Sequence, residues 1–257
     1  MWDETLTYRL NFIVWRIRTV INLLIVYFLW SAILPAGKSF LGYTQSLMLT
    51  YILGTSLLNA IVLASRSGDV GDEINNGDLS NFLLRPIHYF LYWFAKDAGD
   101  KTMNFVFALG ELSVIFFLLK PPLYMQHNVF FLMGTLIAII SAILLFFFMN
   151  FLIGLCGFWV NETWPIRFLF VIIIVYFLGG GLFPLDILPK PLFTIFQLLP
   201  SSYLVYFPLK VYLGQLSLWQ TIVGLCISFI WLFLLYKLVT YVWKQGLQEY
   251  TAQGRWD

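Results

Sequence analysis

Residues Val129-Phe-Phe-Leu-Met-Gly-Thr-Leu-Ile-Ala-Ile-Ile-Ser-Ala-Ile-Leu-Leu-Phe-Phe-Phe-Met-Asn-Phe-Leu-Ile-Gly-Leu-Cys-Gly157 contain no charged side chain. As a helix, roughly 20 apolar residues cross the ~30 Å hydrocarbon core of a bilayer, so this stretch is long enough to span a membrane. Comparable apolar runs lie on either side of it, at about 19–36, 44–65, 102–119, 166–183 and 217–242. The whole chain of 257 residues follows suit: 60% are hydrophobic, 19% aromatic and only 11% charged. Soluble domains carry roughly 25% charged residues, and a mean hydropathy of +0.83 is incompatible with one. The fold class is therefore all-α, a polytopic membrane protein with six transmembrane helices forming a single domain over 1–257.

Several function classes fall away on the same grounds. The net charge is +2 and the basic residues are scattered, whereas a nucleic-acid footprint needs Lys and Arg gathered on one face. Cys156 and Cys226 sit inside apolar runs and form neither a disulfide framework nor a metal cluster. An intramembrane enzyme needs a nucleophile with a base, a carboxylate pair or a metal set within reach. Gly54-Thr-Ser-Leu57 lacks the last glycine of a nucleophile elbow, and His88 and His127 fall on opposite sides of the membrane. Ala36-Gly-Lys-Ser39 imitates the end of a phosphate-binding loop, but Ala32 stands where the earlier glycine is required. No catalytic residue, metal site or cofactor is expected in this chain.

The layout supplies orientation and two unusual connections. Residues 1–18 place Trp2, Leu6, Leu10, Ile13 and Ile17 on one helical face, as in a helix lying in the membrane interface. Acidic residues precede any basic cluster and the apolar run continues to Pro35, unlike a cleaved signal peptide. Placing both termini in the cytoplasm puts 11 of the 15 basic residues inside and 4 outside, as the positive-inside rule prefers. The sequon Asn161-Glu-Thr163 then faces the cytoplasm and is a chance match. Residues 66–101 form a cytoplasmic insert, with Asp78 or Ser80 suited to cap a short helix through Leu84 ahead of Arg85-Pro86. Leu79, Phe82, Leu83 and Leu84 are large apolar residues in that otherwise polar stretch, a pattern suited to docking in a partner's groove. Residues 179–213 open with Gly179-Gly180-Gly181, hold Pro184, Pro189, Pro191, Pro200 and Pro208, and stay apolar. That combination predicts a re-entrant helical hairpin in the outer leaflet, before the last span. Glu111 is the one clearly intramembrane acid, a substrate or proton contact or else an interhelical hydrogen bond. The aromatic excess reads as lipid-facing surface and interfacial belts.

The order of parts resembles the permeases of type-2 ABC exporters, half-transporters of six spans, and a bacterial subfamily of them in particular. The resemblance rests on Tyr8-Arg-Leu-Asn-Phe12, Glu73-Ile-Asn-Asn-Gly-Asp-Leu79 with Leu83-Leu-Arg-Pro-Ile87, Gly181-Leu-Phe-Pro-Leu185, Leu199-Pro200, Tyr206-Phe-Pro208 and Gly246-Leu-Gln-Glu-Tyr250, and it covers essentially the whole chain. It implies a bacterial inner-membrane permease that pairs with a second permease, identical or related, and with two cytoplasmic ATPase subunits holding ATP and Mg. It further implies that Glu73, Ile74, Gly77, Leu79, Leu83, Arg85 and Pro86 belong to a coupling helix seated in the ATPase. The outer hairpin would form part of a gate with Pro184 and Pro189 at its bends. A membrane enzyme or assembly factor without an ATPase would need polar groups converging in the spans, where only Glu111, Asn150 and Glu162 are available. A secondary transporter would show internal repeats and several intramembrane ionisable groups, and neither is evident in the sequence.

Overall fold

The computed structural model describes residues 9–35 and 37–250, with side chains from Ile13 onward. Helix α1 (Arg9–Ile33) contains neither Gly nor Pro and stops ahead of Pro35. The chain expected as an interfacial helix over 1–18 followed by a separate span is thus one continuous helix from Arg9, while residues 1–8 lie outside the described residues. Strands β1 (Ser39–Phe40) and β2 (Tyr43–Thr44) pair antiparallel, with Ser39 opposite Thr44. Thr44 then caps α2 (Gln45–Leu58), its hydroxyl accepting from the Leu47 N–H at 3.4 Å.

A wider π-turn, Asn59–Leu63, prolongs α2, and the chain leaves helical geometry at Ala64. A 3₁₀ turn at Ser67–Asp69 leads into two short helices, α3 (Val70–Asn75) and α4 (Leu79–Leu83). Helix α5 (Tyr89–Leu119) takes in residues 89–101, which the sequence reading had left in the insert, and ends at Lys120 before Pro121 and Pro122. Helix α6 (Val129–Leu155) starts at Asn128, whose side chain accepts from the Phe130 N–H at 2.9 Å. Helix α7 (Trp164–Phe170) runs on as a π-helix, Val171–Phe177. The expected hairpin region contains a 3₁₀ turn at Leu185–Ile187, α8 (Lys190–Phe196), a second 3₁₀ turn at Pro200–Tyr203, and α9 (Tyr206–Tyr212). Helix α10 (Leu218–Glu249) opens with a reciprocal cap between Ser217 and Gln220.

Among the described residues five helices are long and apolar enough to cross a membrane: those of α1, α2 with its extension, α5, α6 and α10. The sixth expected span, 166–183, is realised as the shorter helix Trp164–Phe177, because the Gly179-Gly180-Gly181 run ends it early. It begins where Arg167 donates to the Ser65 carbonyl and is followed by Gly180, whose carbonyl accepts from the Tyr51 hydroxyl at 2.6 Å.

Helix α6 is the centre of the bundle. In its apolar window 56% is buried inside the protein, the same share as in α2 with its extension, against 17% in α1 and 22% in both α5 and α10, which turn most of their apolar surface outward. Its most extensive packing is with α10 and α9. Two apolar clusters result. The larger joins α2, α6 and α9 through residues such as Val62, Leu145, Leu204 and Val211; the smaller, around Val70, Leu79, Trp93, Phe151 and Phe158, lies at the end of the bundle where α3 and α4 protrude. These are called below the hairpin end and the tip end.

Candidate functional site

At the tip end, α3 and α4 stand as a protruding element with an anchored face and a free face. Val70, Ile74 and Leu79 are buried in the smaller cluster. Gly71 lies so close to Gly157 that a Cβ on Gly157 would stand 2.9 Å from the Gly71 Cα, so the root of the element packs backbone to backbone on the end of α6. Glu73 turns inward: its Oε2 accepts from the Tyr89 hydroxyl at 2.8 Å and from Trp93 Nε1 at 3.3 Å. Gly77 joins the two helices at φ +81, a conformation few other residues adopt, and its carbonyl accepts from the Tyr250 hydroxyl at 2.8 Å and the Ser80 hydroxyl at 2.7 Å. The Tyr250 oxygen in turn accepts from the Ser80 N–H at 3.1 Å. Asp78 occupies the N-cap position of α4, but its side chain makes no capping bond.

The free face runs from Leu83 to Ile87. Leu83 is 48% exposed, Leu84 86% and Ile87 47%, with Arg85 and Pro86 exposed between them. Asp72, Asn76 and Asp78 are exposed as well, so the rest of the element's outer surface is polar and acidic. Of the residues singled out in the sequence, Glu73, Ile74, Gly77 and Leu79 therefore hold the element in place, and Leu83, Arg85 and Pro86 stand on its outer surface.

Behind the element, the break in α2 at 64–66 is satisfied by side chains. A helix end leaves carbonyls without partners and carries partial negative charge. Lys101 Nζ donates to the Ala64 carbonyl at 2.7 Å; the Ser65 carbonyl accepts from Arg167 Nη2 at 3.0 Å and Asn150 Nδ2 at 3.3 Å. Each cation is balanced: Lys101 pairs with Asp97 at 2.6 Å, and Arg167 with Asp69, at the root of the element, at 2.6 Å. Arg66 pairs with Asp100 at 2.6 Å. Residues from α5, α6 and α7 thus converge on the one place where α2 stops being a helix, directly before the protruding element.

Glu111, read in the sequence without a basic partner, has one. Arg16 of α1 donates from Nε to Glu111 Oε1 at 2.6 Å, with the two side chains 10% and 22% exposed, and its guanidinium lies over the Phe107 ring at 5.6 Å. Glu111 is an interhelical contact tying α1 to α5.

At the hairpin end a third polar cluster joins distant segments. The buried Lys210 of α9 donates to Asp186 Oδ2 at 2.7 Å, to Gln215 Oε1 at 2.6 Å and to the Tyr43 oxygen at 3.1 Å, and the Tyr43 hydroxyl donates to Asp186 Oδ1 at 2.8 Å. Burial pushes the Lys210 ammonium below its ordinary pKa, and the Asp186 carboxylate draws it back up. Gly180 turns at φ +78, Gly179 accepts from the Tyr206 N–H at 3.1 Å, Pro184 stands directly before the 3₁₀ turn, and Pro189 caps α8. The three glycines and two prolines named from the sequence all lie at turns of this region, Gly181 and Pro184 bracketing Leu182 and Phe183.

Sequence reasoning missed Arg16, Lys101, Arg167, Tyr250, Asp186 and Lys210. The four cations had counted only toward the inside–outside balance, Tyr250 had been quoted only within the Gly246–Tyr250 motif and Asp186 had been given no role; the signal available was only that cations lay within reach of apolar runs. Among the described residues no group of three or more His, Cys, Asp or Glu is placed to hold a metal ion. The family model described as ABC-2 family transporter protein matches residues 20–254. No curated protein matches the chain.

Proposed function

Because the chain belongs to the ABC-2 transporter family, we propose that it is the permease subunit of an ATP-driven exporter, coupled to its ATPase through residues 69–87. It is a multi-pass membrane protein and a transport component rather than an enzyme in its own right. In the proposed assembly a second permease, identical or related, completes the translocation path. Two cytoplasmic ATPase subunits hold ATP and Mg and carry out the hydrolysis. Both termini lie in the cytoplasm of a bacterial inner membrane, the orientation favoured by the 11 to 4 distribution of basic residues.

The observation that carries this reading is the exposed apolar surface Leu83-Leu84-Arg85-Pro86-Ile87 on an element whose opposite face is fixed to the bundle. Large apolar side chains presented to water on a short, anchored helix suit a groove on a soluble partner. The break at 64–66 supplies the mechanical link. A push on the tip reaches Asp69 and, through Arg167, Lys101 and Asn150, the helices α7, α5 and α6 together, so a rigid lever moves packed spans. Movement of this kind, driven by closure of the ATPase pair, would expose the path alternately to the two sides and release substrate outward, with the 179–213 region acting as the outer gate.

The test is affinity purification of the tagged chain from its native membrane, with mass spectrometry of what accompanies it, for the wild type and Leu83→Asp. Recovery of an ABC ATPase with the wild type and its loss with L83D, at equal membrane insertion, supports the proposal. Equal recovery of the ATPase with both, or a wild-type chain that comes out without one under mild detergent, overturns the coupling assignment.

A further inference from the structure

The half of the bundle away from the tip contains an apolar cavity of about 590 Å³ between α2, α5 and α6. It opens where α5, which meets α6 at the tip end through the Phe90–Phe151 and Phe94–Phe147 ring contacts and otherwise packs chiefly on α2 and its π-turned extension, parts from α6. Leu53 and Leu57 of α2, Leu112 and Phe116 of α5, and Leu136 and Ile139 of α6 form its walls, and Pro208, Leu209 and Tyr212 of α9 also line it. The volume falls within the roughly 300–1,000 Å³ of ordinary ligand cavities.

The chemistry of the lining narrows the occupant. Its Ser and Thr hydroxyls are spent inside the protein: Thr50 donates to Ser46 O at 2.7 Å and accepts from the Tyr124 N–H at 2.8 Å, Ser113 donates to Leu109 O at 2.7 Å, and Thr135 to Phe131 O at 2.7 Å. Tyr124 and Tyr212 supply the remaining hydroxyls of an otherwise apolar lining, so a polar molecule deep in the cavity would forfeit most of its hydrogen bonds, and water needs two or more polar partners to stay there. Hydrocarbon loses nothing. The side facing the bilayer is open, with Phe117 75% and Leu136 52% exposed at its rim, so lipid tails have direct access. At the hairpin-end limit of α5, directly after the wall supplied by Phe116, stands Lys120, exposed and in no ion pair among the described residues. An apolar slot with an exposed, unpaired lysine one helical turn past the Phe116 wall matches an amphiphile with an anionic head.

We propose that this cavity is a phospholipid site, in which one acyl chain enters between α5 and α6 and fills the slot while the headgroup phosphate rests on Lys120. The site is independent of ATPase coupling, so its test can fail while that reading stands. Burying the acyl chain gains little relative to the bilayer it leaves, so selectivity lies in the shape of the slot and in the charge near it.

The experiment uses the full chain in nanodiscs of phosphatidylethanolamine and phosphatidylglycerol, with a trace of phosphatidylglycerol carrying a photoreactive diazirine within its acyl chain. After irradiation, labelled peptides are mapped by mass spectrometry. The expected result is labelling of the 50–58, 109–116 and 132–139 segments several-fold above that of the lipid-facing Phe229–Phe233 stripe on α10. Leu112→Trp, which fills the slot, should lower cavity labelling several-fold and leave the α10 signal unchanged, and Lys120→Glu should lower it for the acidic lipid. Should either substitution prevent folding, the ratio of cavity to α10 labelling in the wild type decides alone. Equal labelling of the two regions means ordinary annular lipid and overturns the proposal; so does an unlabelled cavity, whether it is empty or covered by a second copy of the chain.

Discussion

Arg16 and Glu111 meet across 95 positions of sequence, and each is tolerable inside a membrane protein only because the other is there. Removing one member of a buried pair strands the other without a counter-charge, at a cost of about 3 kcal/mol, whereas replacing both with apolar residues of similar volume is often close to neutral. Glu111→Leu and Arg16→Met should therefore each lower the thermal midpoint in detergent by several degrees, and the double variant R16M/E111L should recover most of the loss. A double-mutant cycle reads the coupling directly. Strictly additive losses would mean that the pair does not hold α1 to α5. The pair also bears on function, because α1 is otherwise mostly lipid-facing and this bond is a specific anchor along it.

At the scale of elements, the pair α3 and α4 has one face fixed to the bundle and an exposed surface that is proposed to dock, and the two can be probed apart. Gly77→Ala forces a side chain onto a left-handed backbone and should destabilise the turn by about 1 kcal/mol. Tyr250→Phe removes one hydroxyl that bonds both the Gly77 carbonyl and the Ser80 N–H, again worth about 1 kcal/mol. Neither change touches the exposed Leu83–Ile87 surface. Both variants should keep their ATPase in co-purification while losing substrate-stimulated hydrolysis, the reverse of the binding loss expected for L83D. Faster hydrogen exchange over residues 70–84 should accompany the loss. If exchange rises and stimulation is unchanged, the anchoring of this element is not part of the coupling path.

For the molecule as a whole, the clusters at the two ends bind segments that the chain brings together only in the fold. At the hairpin end Lys210, Asp186 and Tyr43 tie α9, the turn after Gly181 and the β-hairpin into one unit. Asp186→Asn leaves a buried ammonium whose main counter-charge is gone, and burial already lowers its pKa. Hydrogen exchange over 179–205 should accelerate severalfold in D186N, and the exchanged pair D186K/K210D should restore part of the protection. Protection that is the same in D186N as in the wild type would show that the ion pair does not latch this region. In a transport assay, a loosened latch predicts leakage or uncoupled turnover with ATPase binding intact.

Much of this architecture is written locally. In hydrocarbon every backbone group must find its partner within a helix or a closed barrel, and an unbroken apolar run far longer than a barrel strand fits only the helix, so the stretch 129–157 could be read without knowing its neighbours. Pro35, Pro121 and the Gly179-Gly180-Gly181 run mark helix ends for equally local reasons, as does the apolar Leu83-Leu84 in a polar insert. The glycine run misled only in degree: it was read as bounding a full span, and it shortens the helix instead. Other features had no local signature. That Lys101 and Arg167 cap the broken end of α2, that Tyr250 holds Gly77 from 173 positions away, and that Arg16 neutralises Glu111 depend on which helix packs beside which. A charged residue next to an apolar run looks the same in sequence whether it faces lipid headgroups or a buried carbonyl. The cavity near Lys120 is the extreme case, since it consists of the space that α5 leaves by diverging from α6, and empty space is encoded by no residue.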